Sequence, residues 1–293
     1  MEKIDIKINK YNFSFGIDKV KFLVSRAPEK IFSVIQAIRK TINKINDSEY
    51  EIENTVNKRF LINDKQINLK ENLFFFINNH FDLEKDLKLQ SKSLLGLYID
   101  SLLENIEYDD DLNTINILIN DLSNRVSEYS SENTFQNLNI NISELNQKTV
   151  LKLIEICLIK EELIQNAYEM SYTENIVFQL ELLSFIASKK KNINYWTILE
   201  IPVITDSILT AIHKTASNVK VIAWVESIKC PIQMDDVVLI KNKSIDLSDE
   251  LQIYENILLD NNQNIHSLAE LKEAIVSELN SNDSKYKILD NYI

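Results

Sequence analysis

Two stretches late in the chain, "INYWTILEIP" and "VKVIAWVES", are apolar at nearly every position, and the helix-like segment "ITDSILTAIHKTASN" lies between them. A strand with one wet face alternates apolar and polar residues. A strand covered on both faces does not, and two such strands joined through a helix define a parallel βαβ unit. A third run, "DVVLIKN", follows. An early one, "VKFLVS", leads through the elbow Ser25-Arg26-Ala27-Pro28 into an amphipathic helix. The pattern predicts an α/β sheet domain with helical layers.

That domain is split along the chain. Residues 1–81 carry the strand signals "IDIKI", "YNFSF", "VKFLVS", "RFLIN" and "LFFFI", with one helix from Pro28 to about Ile45. Ile31, Val34, Ile35, Ile38, Ile42 and Ile45 form its apolar stripe, which turns Lys30, Lys40 and Lys44 outward. Residues 82–191 read as a helical leg. After Asp109, the residues Leu112, Ile115, Leu118, Ile119, Leu122, Val126 and Tyr129 recur at three- and four-residue steps, the spacing of a helix-pair seam. Ser143 opens "SELNQKTVLKLIEICLIKEEL", and Ser171 with Glu174 makes a capping box before "NIVFQLELLSFIASKKK". The sheet domain resumes over 192–248. An acidic extension, 249–293, holds one more capped helix opened by Ser267 and Glu270.

Only Gly16 and Gly96 interrupt 293 residues, while asparagine occurs 34 times and serves the turn positions that need positive φ. Phosphate-cradling loops depend on glycine, so neither GxxxxGK[ST] nor GxGxxG exists here. Glu29, in the first turn after the elbow, complements the helix dipole that a phosphate would use. The elbow therefore has the position of a phosphate loop without its chemistry. His80, His213 and His266 stand apart, and Cys157 and Cys230 have neither metal nor redox spacing. No G-x-S-x-G or cysteine-centred nucleophile motif occurs. Glu200 and Glu226 end apolar strands where a nucleotide hydrolase keeps a magnesium carboxylate. They are the residues of an alternative reading as a metal-dependent phosphohydrolase or nuclease. No apolar run reaches the roughly 18 residues of a membrane helix, and "MEKIDIKINK" is charged where a signal peptide is apolar. A soluble cytoplasmic protein is expected.

The net charge of −12 argues against a polyanionic partner, yet its distribution does not. From Lys19 to Asn46 seven cations face Glu29 alone, whereas ten acids face Arg125 from Asp100 to Asn146. Ten more face three lysines beyond Ile245. One basic surface on an acidic chain is suited to meet phosphates from one side.

The order of these elements, together with "KVKFLVSRAPEKIFSVIQ", "INLKENLFFFINNHFDLE", "TVLKLIEICLI", "KKKNINYWTILE" and "VKVIAWVES", resembles the Csn-two family over about residues 1–245. These are the ring-forming accessory proteins of spacer acquisition in type II-A CRISPR systems. The resemblance implies a degenerate nucleotide-kinase-like (P-loop-NTPase-like) α/β head with an inserted all-helical leg. It also implies a homotetrameric ring that binds double-stranded DNA ends without sequence preference and without cutting. The partners it implies are the CRISPR integrase complex and the effector nuclease, with no membrane. Lys30, Arg39, Lys40, Lys44, Lys189, Lys190 and Lys191 are the candidate phosphate contacts. The family also uses structural calcium. In the corresponding turn, "NINISELNQ", Glu144 is the one carboxylate and therefore the candidate metal ligand. A third reading is a structural interaction protein whose helical leg and acidic tail dock on a basic partner.

Overall fold

The computed structural model describes residues 1–9, 11–53, 58–80, 85–86, 93–104, 106–133, 141–189, 192–228, 230–258, 267–280 and 292. The chain forms two units, residues 1–81 with 171–293, and residues 82–170. The α/β class expected from the apolar runs is the one observed.

The first unit is built on a six-stranded sheet. β1 (Glu2–Ile8), β2 (Tyr11–Ile17) and β3 (Val20–Val24) open the chain, followed by α1 (Pro28–Ile42), α2 (Glu49–Glu53), β4 (Lys58–Ile62) and β5 (Asn72–Asn78). After the inserted unit come α6 (Tyr172–Lys189), β8 (Asn194–Glu200), β9 (Val203–Ile204), α7 (Asp206–Thr215), β10 (Val219–Val225), β11 (Ser227–Ile228), β12 (Val237–Ile240) and β13 (Ser244–Asp246). The large sheet has the order β13-β12-β3-β10-β8-β5, parallel except for the β12–β13 hairpin. β10 sits between β3 and β8, with Ile222 opposite both Lys21 and Ile198. The run "VKVIAWV" has no alternation because both of its faces are covered.

One face carries α1 and a second, antiparallel sheet, β2-β1-β4. Ile4, Ile6, Phe13 and Phe15 from that sheet, Val34 and Ile38 from α1, and Trp196, Ile198, Ile222 and Trp224 from the large sheet make one continuous core. The other face carries α6 and α7, which bury Ile176, Leu180, Leu183 and Ile186, and Ile208 and Ile212. Thr215 Oγ1 donates to the Leu180 carbonyl and ties the two helices together. This packing explains why α6 belongs with the sheet, so that the inserted unit ends at residue 170 and not at 191. Sequence texture does not separate a layer helix from a leg helix. The acidic extension also belongs to this unit: α8 (Glu250–Ile253) and α9 (Leu268–Asn280) bury Ile253, Leu271 and Ile275.

Beneath the sheet lies a buried charge pair. Lys21 Nζ, on β3, donates to Asp246 Oδ1 at 2.6 Å, to the Asp235 carbonyl at 2.6 Å and to Ser248 Oγ at 3.2 Å. Asp246 accepts further from the backbone N–H groups of Gly16 and Ser248. All three ammonium donors are used, and β2, β3 and β13 are joined through one carboxylate.

The second unit contains α3 (Leu94–Leu103), α4 (Ile106–Asn133), α5 (Gln147–Leu153) and a hairpin of β6 (Leu158–Lys160) and β7 (Leu163–Gln165). The long helix expected from Ser143 is not formed. Asn146 caps α5 through Thr149, and beyond residues 154–157 the chain forms two short strands in which β-branched Ile159 and Ile164 pair across the turn at Glu161 and Glu162, both at positive φ. Cys157 is consequently exposed and not in an apolar helix. The expected seam on α4 is only half covered: Leu112, Ile119 and Val126 are part-buried, while Ile115, Leu118, Leu122 and Tyr129 are exposed.

Lys21→Met alone is expected to leave Asp246 buried without its counter-charge and to cost about 3–5 kcal/mol of unfolding free energy. Lys21→Met combined with Asp246→Leu should regain most of that loss in urea titrations. A double variant no more stable than the single one would show that the carboxylate and ammonium are not coupled.

Candidate nucleic-acid interface

α1 organises the basic segment. It starts at Ala27, which offers no side-chain cap, with Pro28 at the first position and Glu29 in the first turn. Ser25 is fully buried, its Oγ accepting from the Ala27 N–H at 3.2 Å. That bond closes the elbow on itself.

The cations of this segment have different environments. Lys30 places its ammonium 3.2 Å from the centre of the Tyr11 ring, a cation–π contact. Arg39 lies over Phe76 and its Nη2 donates to Glu200 Oε1 at 2.6 Å. Lys40 donates to Asp47 at 2.5 Å and to Glu51 at 2.7 Å. Burial lowers the Lys40 pKa, but the two carboxylates outweigh it and hold the ammonium above its ordinary value. The stripe that turned Lys40 outward places it half-buried, because the loop after α1 folds back over it.

That loop follows from the end of α1. The Lys44 N–H bonds the Thr41 carbonyl and the Ile45 N–H bonds the Lys40 carbonyl, with Lys44 at φ 53°, a Schellman motif. The helix thus stops at Ile42, and Ile45 leaves the apolar stripe to become exposed. The turn opens a groove of about 460 Å³ between the end of α1, β4 and residues 66–69, lined by Lys40, Lys44 and Arg59 among others. Lys44 and Arg59 are exposed, and neither has a carboxylate partner among the described residues. Arg59 was not singled out by sequence. Its signal is the strand pattern "KRFLI", whose pairing with β1 brings it beside the end of α1.

Lys189 ends α6, exposed, with its ammonium 5.1 Å from the Phe185 ring. Lys190 and Lys191 lie outside the described residues, as does His266. His80 and His213 are exposed. Of the two strand-end acids, Glu226 is exposed and Glu200 is engaged by Arg39. Burial pushes the Glu200 carboxyl above the usual carboxylate range, with the Arg39 charge and hydrogen bond pulling the other way. Among the described residues no three His, Cys, Asp or Glu side chains are grouped to hold a metal.

The turn expected to hold calcium does not fit the ion. Glu144 Oε1 accepts from the Asn120 amide, Asn141 Oδ1 from Ser123 Oγ, and Asn146 Oδ1 from Thr149. Asn116 bonds both the N–H and the carbonyl of Leu145. Each of these side chains already makes a hydrogen bond within the chain, and one carboxylate is too little charge for a cation that takes six to eight oxygen ligands.

The architecture defined by these elements is an α/β head with an inserted unit of helices and one hairpin. No family model and no curated protein matches the chain. Among solved structures, its fold is similar to that of Stu0660 of Streptococcus thermophilus, with a TM-score of 0.72 over 95% of this chain and 86% of that one. The two share 13% sequence identity, and the likeness is one of fold.

Because the folded-state pKa of Glu200 is raised, its contribution to stability is present at acid pH and lost as pH rises through that value. Arg39→Met is expected to move the Glu200 carboxyl midpoint higher still, read by carbon NMR. It should also lower stability at neutral pH by about 1–2 kcal/mol, the pair being partly solvated. A midpoint that stays in place would show that Arg39 does not hold the charge.

Proposed function

We propose that several copies of this chain, four in a closed ring, together hold the ends of double-stranded DNA without cutting them, in support of spacer acquisition in a CRISPR system. The observation that carries the reading is the groove at the end of α1, where Lys44 and Arg59 lie exposed beside Lys40 on an otherwise anionic protein. Lys30, Lys189 and the neighbouring Lys190 and Lys191 extend the set of candidate phosphate contacts. Repetition of a small cationic patch about an axis multiplies its charge, so each copy needs few contacts. The similarity of fold to Stu0660 and the matching stretches of the Csn-two family support the same reading. Docking on the integrase complex and the effector nuclease belongs to this proposal.

Contact through phosphates alone makes affinity independent of sequence and strongly salt-dependent. Glu200 is held by Arg39, which weighs against its use in a hydrolytic metal site. Arg39 and Lys40 have their charges answered within the chain, which leaves Lys44 and Arg59 as the principal contacts.

Lys44→Glu with Arg59→Glu is expected to weaken binding to unrelated linear duplexes alike and to flatten the plot of log affinity against log salt by about 1–2 per chain engaged. Fluorescence anisotropy at several salt concentrations provides the check. Closed circular duplex should bind more weakly than linear duplex of the same sequence. Equal binding of both forms, or an unchanged slope in the double variant, would count against the reading.

A further inference from the structure

Lys44 stands at a backbone position that suits glycine or asparagine. Its φ of 53° places it at the left-handed residue of the Schellman motif, where a side chain costs about 1 kcal/mol, and Asn43 precedes it in the chain. The same conformation occurs at Glu161 and Glu162 in a plain turn, so what sets Lys44 apart is what its side chain meets. Lys44 opens on a groove whose volume, about 460 Å³, falls in the range of small-ligand pockets.

The groove has two chemistries. Ile45, Ile67 and Leu69 supply an apolar wall, with Gln66 beside them. Among the described residues Lys44 and Arg59 supply the outward positive charge, while the third cation, Lys40, is bound to Glu51 and to Asp47, which also lines the groove. Two cations without a carboxylate partner among the described residues match the charge of a phosphate monoester, about −1.5 to −2 at neutral pH, better than the single charge of a backbone diester. The arginine fork adds a planar set of donors suited to a terminal phosphate.

We propose that the groove between the end of α1 and β4 is a pocket for a phosphate monoester carrying an apolar or flat body, which is the chemistry of a 5′-nucleotide. That nucleotide is either free or the 5′-terminal residue of a DNA strand. The second source rests on the DNA-binding reading and refines it: the chain recognises a duplex end by its terminal phosphate, and not by backbone charge alone.

Isothermal titration of the full chain with deoxyadenosine 5′-monophosphate, inorganic phosphate and deoxyadenosine tests the pocket, and anisotropy with duplexes ending in 5′-phosphate or 5′-hydroxyl separates the sources. The monophosphate is expected to bind once per chain, phosphate more weakly, and the nucleoside not at all. Removing the 5′-phosphate should weaken duplex binding about tenfold. Lys44→Gly relieves the backbone and is expected to raise the melting temperature by about 1–3 °C while abolishing monophosphate binding. Arg59→Gln, which leaves the turn intact, should weaken that binding at least tenfold. Monophosphate binding without any duplex binding would keep the pocket, for a free nucleotide, and remove the DNA-binding reading. Duplex binding that ignores the 5′-phosphate, with no monophosphate binding, would overturn the pocket and leave the DNA-binding reading standing. Full monophosphate affinity in both variants would also overturn the pocket.

Discussion

The head depends on a lysine placed where a sheet of this kind normally has an apolar residue. Lys21 is in the central strand β3, its side chain 5% exposed, and it is tolerated there because Asp246 and two further oxygens satisfy every donor. The pair fixes more than its own position. Asp246 also receives the Gly16 N–H, so the same carboxylate ties β13 to β3 across β12 and brings β2 of the small sheet to its edge. Ser244 adds two bonds to the backbone of Ser14 at the same junction. With these contacts in place, α1 packs Val34 and Ile38 into the core that the two sheets share, and its end, with the groove beside it, is set relative to β4.

The same division into internal and external charges runs through the basic segment. Lys21, Arg39 and Lys40 are bound to carboxylates from distant parts of the chain or from the loop that α1 itself organises. Lys44, and Arg59 outside the segment on β4, have no carboxylate partner among the described residues, and they face solvent at one groove. A segment that reads as one basic block is therefore two populations: cations that build the fold and cations available to a ligand. The first population positions the second, since Lys40 anchors the loop that follows Lys44.

The sheet was legible because continuous apolar runs are a direct record of two-sided burial, and β8, β10 and β12 lie where those runs are. The capping boxes were equally direct: Ser171 with Glu174 bonds reciprocally as the pattern requires. The hairpin at 158–165 was not legible, because apolar residues after Ser143 satisfy a helical period while β-branching and two left-handed glutamates decide for strands. The boundary at 170 was hidden for a similar reason, α6 having the texture of a leg helix. Which lysines stay outward was the least legible point of all. A helical wheel orients Lys40 toward solvent but says nothing of Asp47 and Glu51, which meet it only because the chain turns at Lys44.

The central claim is that several copies join their few outward cations around a common axis and so grip a polymer of phosphates. Mass measurement of the full chain in solution, with and without a linear duplex, tests it most directly. The account predicts a particle of four times 34.1 kDa that gains the mass of the duplex when one is added. A particle of 34.1 kDa whose mass is unchanged by the duplex at low salt would contradict it.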